Sequence, residues 1–276
     1  MPQTLTEIKA LLNAHGLRPR KRLGQHFLHD AHQMERILRA AEIVAGEVVL
    51  EIGPGTGALS EYMLEAGARL VAVEIDRELE PILRQRLSAP FGKAVSLVFA
   101  DALSGKHVIN PAVWDAVASF GAAAFKLIAN LPYDIASAVL ANLAVDPVRM
   151  DLAVVMVQRD VADRLTAAPG GKSYGPLGIV VGAVYEVWRI GNVSPSCFWP
   201  RPKVDSTILR LEPRAEPVTA DPRVFAAFVK RLFTSRRKQL GTILGRDAPL
   251  PEGVRPEMRP QQLSLEQLSA LARMSG

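Results

Sequence analysis

The stretch Gly53-Pro-Gly-Thr-Gly57 constrains this chain more than any other. It follows the β-branched run Glu47–Ile52 and precedes a helical pattern from about Ala58 to Ala66. A strand that turns through glycines into a helix is the opening unit of a doubly wound parallel sheet. The alternation continues downstream. Strands are expected at Arg69–Ile75, Val95–Ala100, Ala124–Ala129 and Leu152–Gln158, with helices at Arg77–Leu87 and Ile135–Leu143. Upstream, Ile8, Leu11 and Leu12 have helical spacing within Thr6–Leu17, and Asp30 is placed to cap a helix running to Ala41.

After this the pattern changes. Tyr174–Val184 reads as a helix despite three glycines. Tyr185–Val193 and Val204–Leu211 read as a strand pair that adds an antiparallel edge to the sheet. Past Glu212-Pro213 come helical patterns at Arg223–Phe233, Ser235–Leu244 and Ser264–Ala272. The expected organisation is an N-terminal arm over 1–45, an α/β domain over 46–212 and a small helical domain over 213–276.

Composition narrows the function classes. With 49% hydrophobic and 22% charged residues in 276, the chain can bury a core, which excludes disorder as the main state. No apolar run approaches the roughly 18 residues of a membrane span. Met1-Pro-Gln-Thr-Leu carries no signal pattern. A single cysteine, Cys197, excludes an intramolecular disulfide and cysteine-rich metal sites. A cytoplasmic setting and no metal are therefore expected; His26, His29 and His32 lack the convergent carboxylate of a metal site. No heptad argues for an oligomer, so a monomer is expected. The charge is uneven. Residues 201–276 hold 14 basic and eight acidic side chains, a net of +6, and Arg18, Arg20, Lys21 and Arg22 cluster in the arm. A basic arm and a basic C-terminal part suit a polyanionic partner, although each read alone is also an ordinary solvated face.

The glycine loop has an acidic partner. Glu74 closes the next strand at the distance where a carboxylate meets a ribose, and Asp101 closes the one after, within reach of an adenine amino group. Glycines let the backbone approach a ligand, and the helix behind them offers free N–H groups. Together these mark an adenosine-containing cofactor. They do not say which one, because Gly53-x-Gly55-x-x-Ala58 also satisfies the dinucleotide fingerprint.

Asn130-Leu-Pro-Tyr133 follows the fourth strand, at the sheet end where ligands bind. An exocyclic amine on a nucleobase is a weak nucleophile because its lone pair is delocalised into the ring. Two acceptors holding its N–H groups favour the pyramidal nitrogen and stabilise the developing positive charge. The side-chain amide of Asn130 and the carbonyl of Leu131 can be those acceptors. Pro132 fixes the turn and brings no competing N–H. Tyr133 offers a face for a flipped base.

These motifs resemble those of S-adenosylmethionine-dependent N6-adenine methyltransferases. Arg20-Lys-Arg-Leu-Gly-Gln-His-Phe-Leu28, Met156–Leu165, Phe198-Trp-Pro-Arg-Pro-Lys-Val-Asp-Ser206 and Phe233-Thr-Ser-Arg-Arg-Lys238 narrow the resemblance to the small-subunit ribosomal RNA adenine dimethyltransferases. The resemblance covers roughly residues 17–245. It implies a Rossmann-like class I methyltransferase sheet, mostly parallel with one antiparallel strand. It also implies S-adenosyl-L-methionine as cofactor and the small ribosomal subunit with its 16S rRNA as partner. The reaction implied is dimethylation of two adjacent adenines in a hairpin loop near the 3′ end, carried out during small-subunit biogenesis.

By the same resemblance, Gln25, His26 and Leu28 close over the cofactor. Gly53 lies against its methionine part, Glu74 on the ribose, Asp101 on the adenine and Asn130 at the junction with the target; Gly55 and Ala102 belong to the same cofactor-binding set. Phe198 stacks on the target adenine opposite Tyr133, with Trp199 able to share that role. Arg20, Lys21, Arg22, Lys203, Arg236, Arg237 and Lys238 hold RNA phosphates. His26 stands where the family often has Asn. Rival readings remain: a large-subunit rRNA methyltransferase sharing the cofactor motifs, a non-catalytic nucleic-acid-binding relative, and a nicotinamide-dependent dehydrogenase.

Overall fold

The computed structural model describes residues 3–105 and 108–275. Among the described residues there are nine strands: β1 (Phe27–Leu28), β2 (Val48–Ile52), β3 (Arg69–Glu74), β4 (Val95–Phe99), β5 (Ala124–Asn130), β6 (Arg149–Gln158), β7 (Tyr185–Val193), β8 (Phe198–Trp199) and β9 (Ser206–Pro213). Seven form one sheet in the order β4-β3-β2-β5-β6-β9-β7. β2 to β6 pair in parallel, and β9 runs antiparallel to β6. This is the expected α/β class, a mostly parallel sheet carrying an antiparallel strand. The chain builds outward from β2 to β4, then returns to build outward again from β5. The switch point therefore lies between the carboxyl ends of β2 and β5, where open α/β sheets bind ligands.

Burial explains the sheet. Every residue of β2 and all of β3 after Arg69 is buried, the near-continuous apolar pattern of strands covered on both faces. Helices supply that cover. The Ala31–Ala41 helix buries Met34, Ile37 and Ala41 at helical spacing, and Asp30 caps it by accepting from Gln33 N–H at 3.0 Å. Burial of Met34 and Ile37 contributes about 1.5–3 kcal/mol each.

Three local expectations differ. Arg77–Leu87 is not one regular helix. It runs through a tight turn at Arg77–Leu79, one α turn at Glu80–Leu83 and a widened turn at Arg84–Ser88. Pro90 has no N–H to donate back along the helix, which opens the turn before it. Ser235–Leu244 is helical only over Leu240–Leu244, because Arg236, Arg237 and Lys238 are all exposed and give no apolar face to bury. A helix at Pro111–Ser119, capped by Asn110, is additional.

The chain divides into two compact units. One comprises residues up to Leu143, Pro147–Arg159 and Trp188–Leu211. The other gathers Ala144–Asp146, Asp160–Val187 and the chain from Glu212 onward, so it draws in a segment that the chain-order division left with the sheet. Within it the Pro222–Phe233 helix buries Phe225, Phe228, Val229, Leu232 and Phe233 and meets the Pro176–Gly182 helix. Gly178 permits close packing against the Arg159–Leu165 helix. A Cβ at that position would run into the carbonyl oxygen of Arg164.

Candidate active site

A cavity of about 230 Å³ opens at the switch point. The glycine loop, the ends of β3 and β4, the Asn130–Ile135 segment and the arm residues Arg22–Leu28 all line it. Every residue expected to hold the cofactor is on its wall: Gln25, His26, Leu28, Gly53, Gly55, Glu74, Asp101, Ala102 and Asn130.

Glu74 is 5% exposed. Its carboxylate accepts from the N–H groups of Gly55 at 3.2 Å and Asp76 at 2.8 Å. Those bonds favour the charged form, but burial outweighs them and pushes the carboxyl up to about 7. Glu51, at the same wall, is pushed up to about 8 by burial, against the hydroxyl of Ser60, which donates to it at 2.5 Å. Asp101 is exposed and accepts from Leu103 N–H at 2.9 Å. Ile75, directly after Glu74, is a half-exposed apolar surface on the wall.

The arm is tied down by a residue that sequence reasoning missed. Asp76 accepts from Arg20 at 2.9 Å and from the Gln25 amide at 2.8 Å, while Arg20 N–H donates to Gln25 at 2.9 Å. Arg20 also pairs with Glu78. Its guanidinium is thus committed to carboxylates, whereas Lys21 and Arg22 beside it are exposed. A single Asp after a strand carries no signal that would have marked it. Thr56 was also missed. It lines the cavity, and its hydroxyl is buried without a partner.

Asn130 ends β5. Its Nδ2 donates to the carbonyl oxygen of His26 at 3.1 Å, and its Oδ1 is buried with no hydrogen-bond partner. Orphaned buried acceptors are uncommon and mark places where a ligand completes the bonding. Leu131 N–H donates to Met156 O at 3.1 Å, and Pro132 O accepts from Ile135 and Ala136, which fixes the turn. Tyr133 bonds Ser206 through its hydroxyl at 2.9 Å and places its ring 5.4 Å from that of His26.

Phe198 is not on this wall. It lies in β8, paired antiparallel with β1 so that Phe198 faces Leu28 and Trp199 faces Phe27, and it is 3% exposed within the apolar core. In this structure the ring is covered by neighbouring side chains, where the sequence expectation had it stacking on a base opposite Tyr133. Trp199 stacks against Phe27 at 6.4 Å with Lys9 over it, so it too is occupied. Lys203, Arg236, Arg237 and Lys238 are exposed. Among the described residues no group of three or more His, Cys, Asp or Glu side chains could hold a metal ion, and no helix is long and apolar enough to cross a membrane.

Comparison with known proteins shows the chain's relatives. A ribosomal RNA small subunit methyltransferase A from Thermotoga maritima is 38% identical over 94% of this chain and 86% of its own. Its counterpart from Phenylobacterium zucineum is 36% identical over 98% and 93%. Among solved structures, a dimethyladenosine transferase from Plasmodium falciparum matches with a TM-score of 0.73 and 25% identity, covering 89% of this chain and 96% of that one. The 23S rRNA methyltransferase ErmE matches at 0.67 and 26%, covering 90% and 99%. The family model for ribosomal RNA adenine dimethylase matches residues 16–273, and this chain belongs to that methyltransferase family.

Proposed function

We propose that this chain transfers methyl groups from S-adenosyl-L-methionine to N6 of two adjacent adenines in a hairpin loop near the 3′ end of 16S rRNA. Its partner is the small ribosomal subunit, its place of action the cytoplasm, and its working form a monomer. The buried, unpartnered Oδ1 of Asn130 on the cavity wall carries the reading. It is an acceptor waiting for a donor, and an adenine amine is such a donor.

The residues present fit the cofactor. Glu74, held by two N–H groups, would accept from the ribose hydroxyls, and Ile75 would lie against the adenine, whose amino group Asp101 would take. Bound there, S-adenosyl-L-methionine supplies an electrophilic methyl group. The protein prepares the nucleophile. Asn130 Oδ1 and the Leu131 carbonyl would accept the two N6–H bonds, localising the lone pair and stabilising positive charge on nitrogen. Tyr133 would support the flipped base. No strong base is needed, since the alkylated ammonium releases its proton to water.

The test offers unmethylated small and large ribosomal subunits separately with labelled S-adenosyl-L-methionine and identifies the modified base. Label as N6,N6-dimethyladenine near the 3′ end of the small-subunit RNA is the expected result. Label on the large subunit would move the chain to the activity named for ErmE. No label on either would overturn the reading.

A further inference from the structure

An Asn side chain can present either end of its amide to a cavity. Only one end serves here. With Oδ1 inward, Asn130 accepts from an adenine amine. With Nδ2 inward, two donors would face each other. What selects the orientation is the backbone carbonyl of His26, which can only accept and takes Nδ2–H at 3.1 Å.

That carbonyl is itself held in place. The His26 ring nitrogen Nδ1 lies 2.6 Å from the carbonyl oxygen of Pro200. A carbonyl cannot donate, so Nδ1 carries the proton. The other side of the ring leans on Tyr133, at 5.4 Å between centroids and 32° between planes. The next residues are fixed by the β1–β8 pairing and by His29 N–H donating to Cys197 O at 3.0 Å. His26 is thus the junction of the arm, the Pro200 loop, the stacking ring and the catalytic amide.

We propose that His26 is a positioning residue. Its imidazole, anchored on Pro200 and Tyr133, sets the place of its own carbonyl, which turns the Asn130 amide so that Oδ1 faces the substrate. The proposal rests on the function given above. It is separable from any cofactor contact of His26, because it acts through Asn130 on the amine and persists at saturating cofactor.

Three variants of the full chain test it. His26→Asn keeps a donor for the Pro200 carbonyl. His26→Phe keeps a ring against Tyr133 and loses the donor. His26→Ala loses both. The direct readout is the Asn130 side-chain NH2 pair in a 1H–15N spectrum, assigned by its absence in Asn130→Ala. The hydrogen-bonded proton of that pair should move toward the free-amide position in His26→Ala and His26→Phe and stay in His26→Asn. With small subunits and S-adenosyl-L-methionine, kcat should fall by about tenfold or more in the first two, the scale of a misplaced reacting group. Rates are read at saturating S-adenosyl-L-methionine, because His26 also lines the cofactor cavity. KM for the subunit should hold within about threefold, and His26→Asn should recover kcat. An unmoved amide pair overturns the proposal. So does a moved pair with unchanged kcat at saturating cofactor. If wild-type protein methylates neither subunit, the functional reading fails, while the spectrum still decides whether His26 orients Asn130.

Discussion

A Cβ placed on Gly53 would lie 2.9 Å from Cγ of Pro132. The glycine loop and the Asn130–Tyr133 turn are therefore in contact at a position with no room for a side chain. Gly53 also has φ +77°, a conformation that costs other residues roughly 1–2 kcal/mol. Gly53→Ala should lower the melting temperature and weaken S-adenosyl-L-methionine binding together, read by a thermal scan and calorimetric titration. Wild-type affinity in that variant would separate the two motifs that the packing joins.

Asn130→Ala removes the orphaned acceptor. By analogy with loss of a single preorganised electrostatic group, kcat should fall by about 10²–10³-fold. The cofactor should still bind, since Glu74 and the glycine loop are untouched. Single-turnover transfer beside a cofactor titration checks both halves. Full activity would leave Oδ1 without a role.

The buried carboxylates give a pH signature. Glu74 and Glu51 are held neutral by burial to about 7 and about 8, against 4.5 for the free group. Between 4.5 and those values the unfolded chain has released protons that the folded chain keeps. On their account, ligand-free stability should fall as pH rises through this window. Glu51→Gln should therefore gain on wild type in urea unfolding as pH goes from 5 to 8, with no such trend if Glu51 is charged throughout. Ribose hydroxyls donate to a carboxylate, so cofactor affinity should strengthen as pH rises through about 7, and Glu74→Gln should flatten that rise.

The parts of the site readable in sequence were those written in consecutive residues. Gly53–Gly57 and Asn130–Tyr133 each carry turn chemistry and ligand chemistry in a few positions, and Glu74 and Asp101 sit where strands end. What was not readable depends on pairing across the chain. Asp76 matters because Arg20 and Gln25 reach it from more than 50 positions away. Phe198 was placed by motif, but its environment is decided by the β1–β8 pairing, two residues on each side. The Pro111–Ser119 helix had its signal in Asn110-Pro111, a cap followed by proline at the first position. The strand pair near the C-terminal end of the sheet was legible, but not that the later strand, β9, lies inside and β7 at the edge.

Phe198 then needs a variant that separates packing from chemistry. Phe198→Ala should cost about 3–5 kcal/mol as a core truncation, so lost activity there would be uninformative. Phe198→Leu keeps apolar bulk. Its buried place outside the cavity predicts transfer within about threefold of wild type and a modest drop in melting temperature. A loss of tenfold or more at unchanged cofactor affinity would instead mean that β8 parts from β1 and the ring reaches the base.

Arg236, Arg237 and Lys238 are exposed, adjacent, and lie in a segment whose turns are held by backbone bonds such as Lys238 N–H to Ser235 O at 2.8 Å. If they hold RNA phosphates, each neutralised cation should remove about 0.7–0.9 from the slope of log affinity against log salt. The triple Gln variant should therefore bind small-subunit RNA more weakly at low salt and with a shallower slope, while its melting temperature and cofactor affinity stay put. Arg20→Gln behaves differently. Its guanidinium is paired with Asp76 and Glu78, so that variant should loosen the arm and weaken cofactor binding, with little change in the RNA salt slope. Filter binding across a salt series, with calorimetry for the cofactor, distinguishes the two. Equal slopes in wild type and the triple variant would remove Arg236–Lys238 from the RNA surface.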